Sequence, residues 1–266
     1  MDYSLVLPAY NEVTRIGKTL LEYWKNWQTI LSPRGKKYEI IVVANGCRDG
    51  TALLVRLLRE GPLVEAPIRL FTLPEANKGL AILEGFLAAR GRVVGFADAD
   101  GAFSPATVLS LMELAEKGKV AIASKYVSGR RRSPLPLMRK IASWIWNFLV
   151  RMLFGLRVTD TQAGAKAMPA ECAQAILSRV YPCGFAFDVS LLWEAHKAGY
   201  EITEVPVRWE HLAGSKFGLV REAPRMFVAL VRLRLGLFRP ARAGRAQELP
   251  LVGKTLPLSE LLGASG

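Results

Sequence analysis

Val93-Val94-Gly95-Phe96-Ala97-Asp98-Ala99-Asp100-Gly101 joins an apolar run to two carboxylates that one small residue separates. The run has the length and composition of a buried β-strand, and it stops where the acidic residues begin. A turn at the end of a strand can bring two such carboxylates onto one cation. In open α/β sheets, ligands bind beyond the carboxyl ends of parallel strands. The stretch therefore predicts either a ligand site on a parallel sheet or an ordinary acidic loop, and the neighbouring segments decide between them.

Strand and helix patterns alternate on the amino-terminal side of this stretch. Strands are predicted at 5–7, 40–43, 68–73 and 93–97, and helices at 16–31, 51–58 and 77–89. The run Ile40–Val43 shows no polar alternation, as expected of a strand that is covered on both faces. Strands and helices that alternate with short connections indicate a parallel sheet with right-handed crossovers. This half of the chain is therefore expected to be a nucleotide-binding α/β layer.

The carboxyl-terminal half is less regular. Strands are expected at 120–123 and 201–207, and helices from Ser104-Pro105, at 137–156, 169–177, 187–198 and 225–238. Three regions are expected: a catalytic domain at 1–215, which includes the amphipathic helix at about 137–156, a basic amphipathic helix at 216–240, and a loosely ordered tail at 241–266.

The composition allows a large core and favours acidic partners. The chain has 266 residues, 51% of them hydrophobic, and a formal net charge of +13. The positive charge favours nucleotide phosphates, nucleic acid or an anionic membrane surface. The three cysteines have neither metal-site nor disulfide spacing, which predicts a reducing compartment. No apolar run has the roughly 20 residues of a transmembrane helix, and no signal-peptide pattern is present, so a cytoplasmic protein is expected.

Eight short motifs follow one another along the chain: Leu7-Pro8-Ala9-Tyr10-Asn11-Glu12, Asn45-Gly46-Cys47-Arg48-Asp49-Gly50-Thr51, Lys78-Gly79-Leu80-Ala81, Ala97-Asp98-Ala99-Asp100-Gly101, Ser124-Lys125-Tyr126, Asp160-Thr161-Gln162-Ala163-Gly164, Phe185-Ala186-Phe187-Asp188 and Gly214-Ser215-Lys216. Their order resembles the inverting family 2 glycosyltransferases, and the last four resemble the polyprenyl-phosphate branch of that family, the dolichyl-phosphate glucosyltransferases and mannose synthases. The residues in these motifs resemble those of the glucosyltransferases more closely than those of the mannose synthases. The resemblance implies a GT-A fold: a Rossmann-like, mostly parallel sheet flanked by helices.

The resemblance also implies a nucleotide-sugar donor and a divalent metal, Mg²⁺ or Mn²⁺. Asp98 and Asp100 would hold the metal, since hard cations prefer oxygen ligands. The donor would be bound by Pro8, Tyr10, Glu12, Asn45, Lys78, Asp98, Ala99, Asp100, Asp160 and Gln162. Many relatives have two acids where this chain has Ala44 and Asn45, so the identity of the base stays open.

The acceptor side distinguishes two chemistries. A hydroxyl acceptor needs a general base, for which Asp188 or Asp160 would serve. A polyprenyl monophosphate has a second pKa of about 6, arrives mostly dianionic and needs cations that position it. The candidates on this side are Lys125, Arg130, Arg131, Ser215 and Lys216. On the phosphate interpretation, Asp188 orders these cations or touches the sugar, and Lys125 counts with Asp98, Asp100 and Asp188 as catalytic.

Two predicted helices bear on membrane binding. The helices at 137–156 and 225–238 carry aromatic, apolar faces beside arginines and lysines. Such amphipathic helices are typical of proteins that lie in a bilayer interface, so a peripheral enzyme on the cytoplasmic face of a membrane is expected. The alternatives are that both helices cover the sheet, or that the second forms a homodimer.

The most favoured function is transfer of glucose from UDP-glucose to a polyprenyl or dolichyl phosphate. GDP-mannose as donor and a hydroxyl as acceptor are the alternatives within the enzyme class. A nucleic-acid or membrane binding module would also use the net charge of +13. The acidic pair at a strand end and the clustering of basic residues beside apolar helices argue against that module, so no nucleic-acid partner is expected.

Overall fold

Strands and helices alternate through the first half of the chain, as the sequence predicts. The computed structural model describes residues 1–124, 137–182, 184, 186–207, 219–238, 244 and 246–250, and within its helices the side chains of 137–144 and 219–225 are not described. The first half contains β1 (Tyr3–Ala9), α1 (Ile16–Leu31), a 3₁₀ turn (Ser32–Arg34), β2 (Tyr38–Asn45), α2 (Thr51–Glu60), β3 (Ile68–Leu73), α3 (Lys78–Ala88), β4 (Val93–Ala97), α4 (Pro105–Glu116) and β5 (Val120–Ser124).

The second half adds shorter elements. They are α5 (Leu137–Phe154), β6 (Ala165–Pro169), α6 (Ala170–Ile176), a 3₁₀ turn (Leu177–Arg179), α7 (Ala186–Lys197), β7 (Ile202–Pro206), α8 (Leu219–Arg234) and β8 (Gln247–Leu249). The sequence patterns did not predict β6 or β8. The β6 segment is five residues long and contains a lysine, so its composition carries no strand signal.

The described strands form one eight-stranded sheet in the order β7-β5-β6-β4-β1-β2-β3-β8. Strands β3, β2, β1 and β4 are mutually parallel, as expected from the short crossovers. Strand β6 runs antiparallel between β4 and β5, and its first residue, Ala165, pairs with Ala97 at the end of β4. Because of this reversal, the residues that precede β6 lie beside the residues that follow β4.

Both faces of the sheet are covered. Along β1, Leu5 and Leu7 face a core that α1, α2 and α4 complete, whereas Val6 faces a second core formed with α3, α5, α6, α7 and α8. The side chains of β1 and β2 are buried on both faces, which explains why these strands read as continuous apolar runs.

Helix α1 holds residues 99–105, the segment that begins between the two aspartates. Every fourth residue along one face donates a side-chain hydrogen bond of 3.0 Å to a backbone carbonyl of that segment. The pairs are Thr19 Oγ1 with Ala99, Tyr23 Oη with Phe103, and Trp27 Nε1 with Pro105. The sequence predicts the buried face of α1 but not these bonds.

The carboxyl-terminal segment differs from the expectation of a loose tail. Strand β8 pairs antiparallel with β3. Arg69 forms two bonds to the Glu248 carboxylate, at 2.7 and 2.9 Å, and Arg59 donates to the Leu249 carbonyl at 3.1 Å. These bonds anchor the short edge strand, although the tail beyond residue 250 lies outside the described residues.

Helices α5 and α8 contact each other on the face of the sheet that α3, α6 and α7 also cover. Part of what the sequence assigned to a membrane face is internal: Leu230 of α8 is buried, and Phe238 stacks on Tyr181 with ring centroids 3.6 Å apart. Trp146 of α5 donates to Thr161 Oγ1 at 3.1 Å. Among the described residues, no helix combines the length and the hydrophobicity that crossing a bilayer requires.

The contact between α3 and β1 yields a stability prediction. A Cβ on Gly85 would overlap the methyl groups of Val6, so Gly85→Ala is expected to lower the free energy of unfolding by about 1–3 kcal/mol. Gly17, in the first turn of α1, would place its Cβ 3.4 Å from Leu58 Cδ1, which is ordinary contact. Gly17→Ala is the matched control, and urea unfolding should find its stability unchanged or slightly raised.

Candidate active site

The predicted site residues come from six places in the fold that meet at one edge of the sheet. They follow the ends of β1, β2 and β4, precede β6, and begin α3 and α7. The carboxyl ends of parallel strands share one edge. The antiparallel β6 brings its preceding loop, here called the D-T-Q loop (residues 160–164), to the same edge. The topology therefore gathers motifs that are up to 180 residues apart in the sequence.

The two aspartates after β4 point away from the core while Ala99 between them points into it. Asp98 and Asp100 are half-buried, and Ala99 is buried. Gly101 has φ +79°, which turns the chain away from the strand. The Asp100 carboxylate accepts a hydrogen bond from the backbone N–H of Ala102 at 3.0 Å. Both carboxylates thus share one side of a tight turn.

Gly164 packs directly behind Asp98. The backbone N–H of Asp98 donates to the Gly164 carbonyl at 2.9 Å. A Cβ on Gly164 would overlap Asp98 Oδ2, so only glycine leaves room for the carboxylate. Gly164 ends one of the sequence motifs. Its contact with Asp98 depends on the pairing of β4 with β6, so the sequence alone could not predict it.

Lys78 contributes a cation to this edge. Asn77 caps α3 by accepting the Leu80 N–H at 3.0 Å, and Lys78 Nζ lies 2.5 Å from Asp98 Oδ1. Desolvation lowers the pKa of Lys78, but the carboxylates of Asp98 and Asp188 raise it by more. Lys78 therefore stays charged, and its side chain remains 46% exposed.

Lys166 of β6 is a second cation, which the sequence analysis missed. Its side chain is fully buried, and its ammonium contacts Asp188 and donates to the Ala163 carbonyl at 2.7 Å. Burial lowers the pKa of Lys166, and the nearby carboxylate of Asp188 opposes this shift. Its position two residues after the D-T-Q loop was the available signal, although a lysine in a short apolar segment does not reveal its partner.

The D-T-Q loop is tied to β7 and α5. Asp160 is buried, and its backbone N–H donates to Glu204 Oε1 at 3.1 Å. Asn147 of α5 donates to the Thr159 carbonyl at 2.8 Å, and Trp146 donates to the Thr161 hydroxyl. Gln162 is half-buried beside them. Helix α5 is thus a support for the site, which its amphipathic pattern did not predict.

The predicted nucleotide side divides into exposed and internal residues. Tyr10 is 52% exposed at the end of β1, whereas Pro8 is buried within the strand. Glu12 pairs with Arg15 at 2.7 Å. Burial raises the pKa of Glu12; Arg15 opposes the rise, while Asp100 and Asp98 add to it. Glu12 therefore belongs to the same electrostatic cluster as the two aspartates.

Asn45 connects the ends of β1 and β2 to the start of α3. Its Nδ2 donates to the Ala9 carbonyl at 2.8 Å, and its Oδ1 accepts the backbone N–H of Asn77 at 3.0 Å. The side chain is buried, and both ends of its amide are bonded within the protein. Asp49 of the same motif also bonds within the protein, because it accepts the Val13 N–H at 3.1 Å.

Some predicted residues lie outside the described residues. They are Lys125, Arg130, Arg131, Ser215 and Lys216, which include every predicted acceptor-phosphate residue. Among the residues that the structure describes, no group of three or more histidine, cysteine, aspartate and glutamate side chains could hold a metal ion by itself. Protein ligands at Asp98 and Asp100 would therefore need to be completed by a substrate or by water.

Solved structures share this fold. Glucosyl-3-phosphoglycerate synthase from Mycobacterium tuberculosis, crystallised with Mn²⁺, UDP-glucose and phosphoglyceric acid, superposes with a TM-score of 0.56 at 20% identity, over 91% of this chain and 81% of that one. This similarity and the sheet order show a GT-A fold.

The sequence comparisons give the family. Residues 4–177 match the model of glycosyl transferase family 2, and the chain belongs to this family. A dolichyl-phosphate beta-glucosyltransferase of Dictyostelium discoideum is 32% identical, over 87% of this chain and 73% of that protein. An undecaprenyl-phosphate mannosyltransferase of Micrococcus luteus is 29% identical, over 84% of this chain and 91% of that protein. The predicted family and fold are thereby confirmed.

The contact between Gly164 and Asp98 gives a prediction for activity. Gly164→Ala is expected to displace the Asp98 carboxylate and to lower glycosyl transfer by about a hundredfold, since a displacement of about 1 Å at a reacting centre has effects of that size. Gly17→Ala should keep parental activity. Activity at the parental level in Gly164→Ala, in a protein with a parental melting temperature, would contradict the importance of this contact.

Proposed function

We propose that this chain is a metal-dependent, inverting hexosyltransferase that uses a polyprenyl or dolichyl phosphate as acceptor and UDP-glucose as the favoured donor. One observation carries the proposal: Asp98 meets the cation of Lys78 on one side and the D-T-Q loop on the other. Asp98 thus contacts both a motif that resembles a donor site, which contains Lys78, and the D-T-Q loop, which resembles the polyprenyl-phosphate branch. The relatives that act on dolichyl and undecaprenyl phosphate support the same acceptor class.

The residues at the strand end suit a divalent metal. The Asp98 carboxylate already binds a cation, the ammonium of Lys78, and a metal ion at Asp98 would displace that ammonium towards the substrate phosphates. Asp98 and Asp100 would hold Mg²⁺ or Mn²⁺, and Mg²⁺ in particular is often bound by one or two carboxylates together with substrate phosphates. When bound, the metal would neutralise the negative charge that develops on the departing nucleotide diphosphate. The M. tuberculosis structure with Mn²⁺ and UDP-glucose supports this assignment.

The donor would lie across the ends of β1, β2 and β4. Tyr10, exposed at the end of β1, offers a face on which the base can stack. Glu12 lies near Asp98 and Asp100 and would line the pocket for the ribose of the nucleotide. Lys78 stands at the start of α3, where helix N-terminal N–H groups also favour phosphate.

The other predicted donor residues would act in two ways. Asp160 and Gln162 would shape the pocket for the sugar from the D-T-Q loop. Pro8, Asn45 and Ala99 are buried and would act through the backbone that they position. Because the Asn45 amide is already bonded to Ala9 and Asn77, recognition of the base would come from other groups on this loop.

The acceptor phosphate would perform the displacement itself. A dianionic monophosphate needs no general base, so the protein would supply positioning cations instead. Lys125, Arg130, Arg131, Ser215 and Lys216 are the proposed set. Ser124, the last residue of β5, ends at the same edge of the sheet as Asp98, and Lys125 is the next residue in the sequence. Asp188, in the first turn of α7, would face the sugar or order these cations.

A donor screen tests this function. The purified protein is incubated with Mn²⁺, a short-chain polyprenyl phosphate and either UDP-glucose or GDP-mannose, and the lipid product is identified by mass. We expect hexosyl lipid with UDP-glucose, a loss of about a hundredfold or more in Asp98→Asn, and no change in Glu22→Gln, a half-exposed carboxylate on α1.

Two results would redirect the proposal. The M. luteus mannosyltransferase is the reason for the GDP-mannose arm, and a product only in that arm would change the donor while keeping the acceptor. If no nucleotide hexose gave a lipid product and a sugar hydroxyl were glycosylated instead, the phosphate acceptor would be wrong. A pH profile in which activity falls at acidic pH would then identify a carboxylate base.

An apolar surface on α5 and α8 supports action at a membrane. Ile145 and Met152 of α5 and Phe227 of α8 are between 46% and 70% exposed. Arg151 and Arg232 are exposed on the same two helices. Exposed apolar side chains beside arginines would bind an anionic bilayer surface, with about 1 kcal/mol from each basic residue near the lipid.

Vesicle binding tests this surface. We expect the variant Ile145→Ser/Met152→Ser/Phe227→Ser to bind anionic phospholipid vesicles at least about tenfold more weakly than the parent, because three apolar side chains lose their transfer from water. The matched control is Leu53→Ser/Leu57→Ser/Val64→Ser, which removes equally exposed apolar side chains on and after α2. Equal binding by both variants in flotation assays would exclude α5 and α8 as the membrane surface.

A further inference from the structure

A buried ion pair lies beneath the site and has no assigned function. Lys166 has no exposed side-chain surface, and its ammonium contacts Asp188, whose side chain keeps 12% exposure. The same ammonium donates to the Ala163 carbonyl at 2.7 Å. One side chain thus joins α7 to the D-T-Q loop from below. The pair is asymmetric, since only the carboxylate side chain keeps exposed surface.

Stability alone is a weak explanation for this pair. Removing a lysine from water is costly, and apolar residues of similar volume often replace a buried ion pair without loss of stability. Aromatic rings form part of the surroundings: the Lys166 ammonium lies 5.2 Å from the centroid of the Phe96 ring, whose centroid is 6.3 Å from that of Phe187. Lys78 and Asp160 are the other charged groups that act on Lys166. An apolar side chain could pack against the rings, so the charge needs another reason.

The two segments that Lys166 joins are the proposed walls of the sugar pocket. Ala163 lies between Gln162 and Gly164, and Gly164 seats Asp98. Asp188 acts electrostatically on Lys78, which contacts Asp98 from the other side. A shift of Lys166 would therefore reach the strand-end aspartate by two routes, through the loop and through the carboxylate of α7.

We propose that Lys166 is a positioning residue that holds Asp188 and the D-T-Q loop at the separation that the transferred sugar requires. This inference rests on the proposed function, because it takes Asp188 and the D-T-Q loop to face the sugar. Lys166 itself does not touch substrate. It sets the orientation of one carboxylate oxygen and fixes the loop carbonyl next to Gln162, so that both walls move as one unit.

A double-mutant cycle tests the inference. Lys166→Met, Asp188→Asn and the double variant are compared for kcat and KM of hexose transfer. If Lys166 acts through Asp188, each single variant should lose about 10–100-fold in kcat, and the double variant should lose no more than the worse single variant. Lys166→Gln, which keeps N–H donors for both partners, should recover at least about fivefold over Lys166→Met.

The control is Lys197→Met. Lys197 also pairs with a carboxylate of α7, at 2.5 Å from Glu194, but it lies at the far end of the helix and is half-exposed. Parental activity is expected there. Parental kcat in Lys166→Met, multiplicative losses in the double variant, or equal activity of the Met and Gln variants would each overturn the inference. Measuring Lys166→Gln also keeps the test decisive if Lys166→Met does not fold.

An equilibrium measurement separates this inference from the proposed acceptor. Titration calorimetry gives the affinity for the nucleotide sugar relative to the nucleotide diphosphate alone, and this ratio reports contacts to the sugar without any acceptor. Lys166→Met should lower the ratio and leave diphosphate binding within about twofold. If the parent fails to transfer to polyprenyl phosphate while this ratio falls, the acceptor is wrong and the positioning function stands. An unchanged ratio would refute the positioning function of Lys166.

Discussion

The antiparallel pairing of β6 with β4 is the constraint on which the site depends. Without that reversal, the D-T-Q loop would lie at the opposite edge of the sheet from the aspartates. With it, the Gly164 carbonyl accepts the Asp98 N–H, and the missing side chain of Gly164 leaves room for the carboxylate. The parallel strands supply the edge where ligands bind, as in other open α/β sheets. The reversed strand β6 supplies the second wall.

Charge is distributed in alternation around this edge. Lys78 lies against Asp98, and Lys166 lies against Asp188, so two ammonium groups and two carboxylates share a small volume. The two cations differ in setting: the half-exposed Lys78 keeps a raised pKa, whereas burial lowers that of Lys166. An accessible cation can move towards a phosphate, but an enclosed one can only hold its partners. The same residue type therefore serves two different purposes within one site.

The sequence could predict the family, the parallel half of the sheet and the motifs that meet at its edge. The family could be predicted from the resemblance of its motifs, and the parallel half of the sheet because β1, β2 and β4 are mainly apolar runs that end in turn residues and acids. The sequence could not predict partners that depend on long-range pairing. Asn45 was predicted to bind the donor, but the bonds of its amide to Ala9 and Asn77 could not be predicted.

Amphipathicity was similarly ambiguous. The pattern of α5 indicated an aromatic, basic helix, which is compatible both with a bilayer surface and with packing on a sheet. The structure shows packing for some residues and exposure for others: Trp146 supports the D-T-Q loop, whereas Met152 is 70% exposed. Periodicity identifies which residues share a face, but not what covers it. Strand β6 was missed because alanine, lysine and proline, which make up most of it, are uncommon in strands, and β8 was missed because it has only three residues.

The anchoring of β8 has a consequence for how this protein could be shortened. Strand β3 would be the last strand on its side of the sheet if Gln247–Leu249 were removed. Its N–H and C=O groups would then be exposed as an open template, which favours pairing between molecules. Arg59 would at the same time lose the Leu249 carbonyl, and Arg69 would keep Glu39 but lose Glu248. A trimmed chain that ends after α8 would thus gain a tendency to self-associate and precipitate, even with its catalytic edge intact.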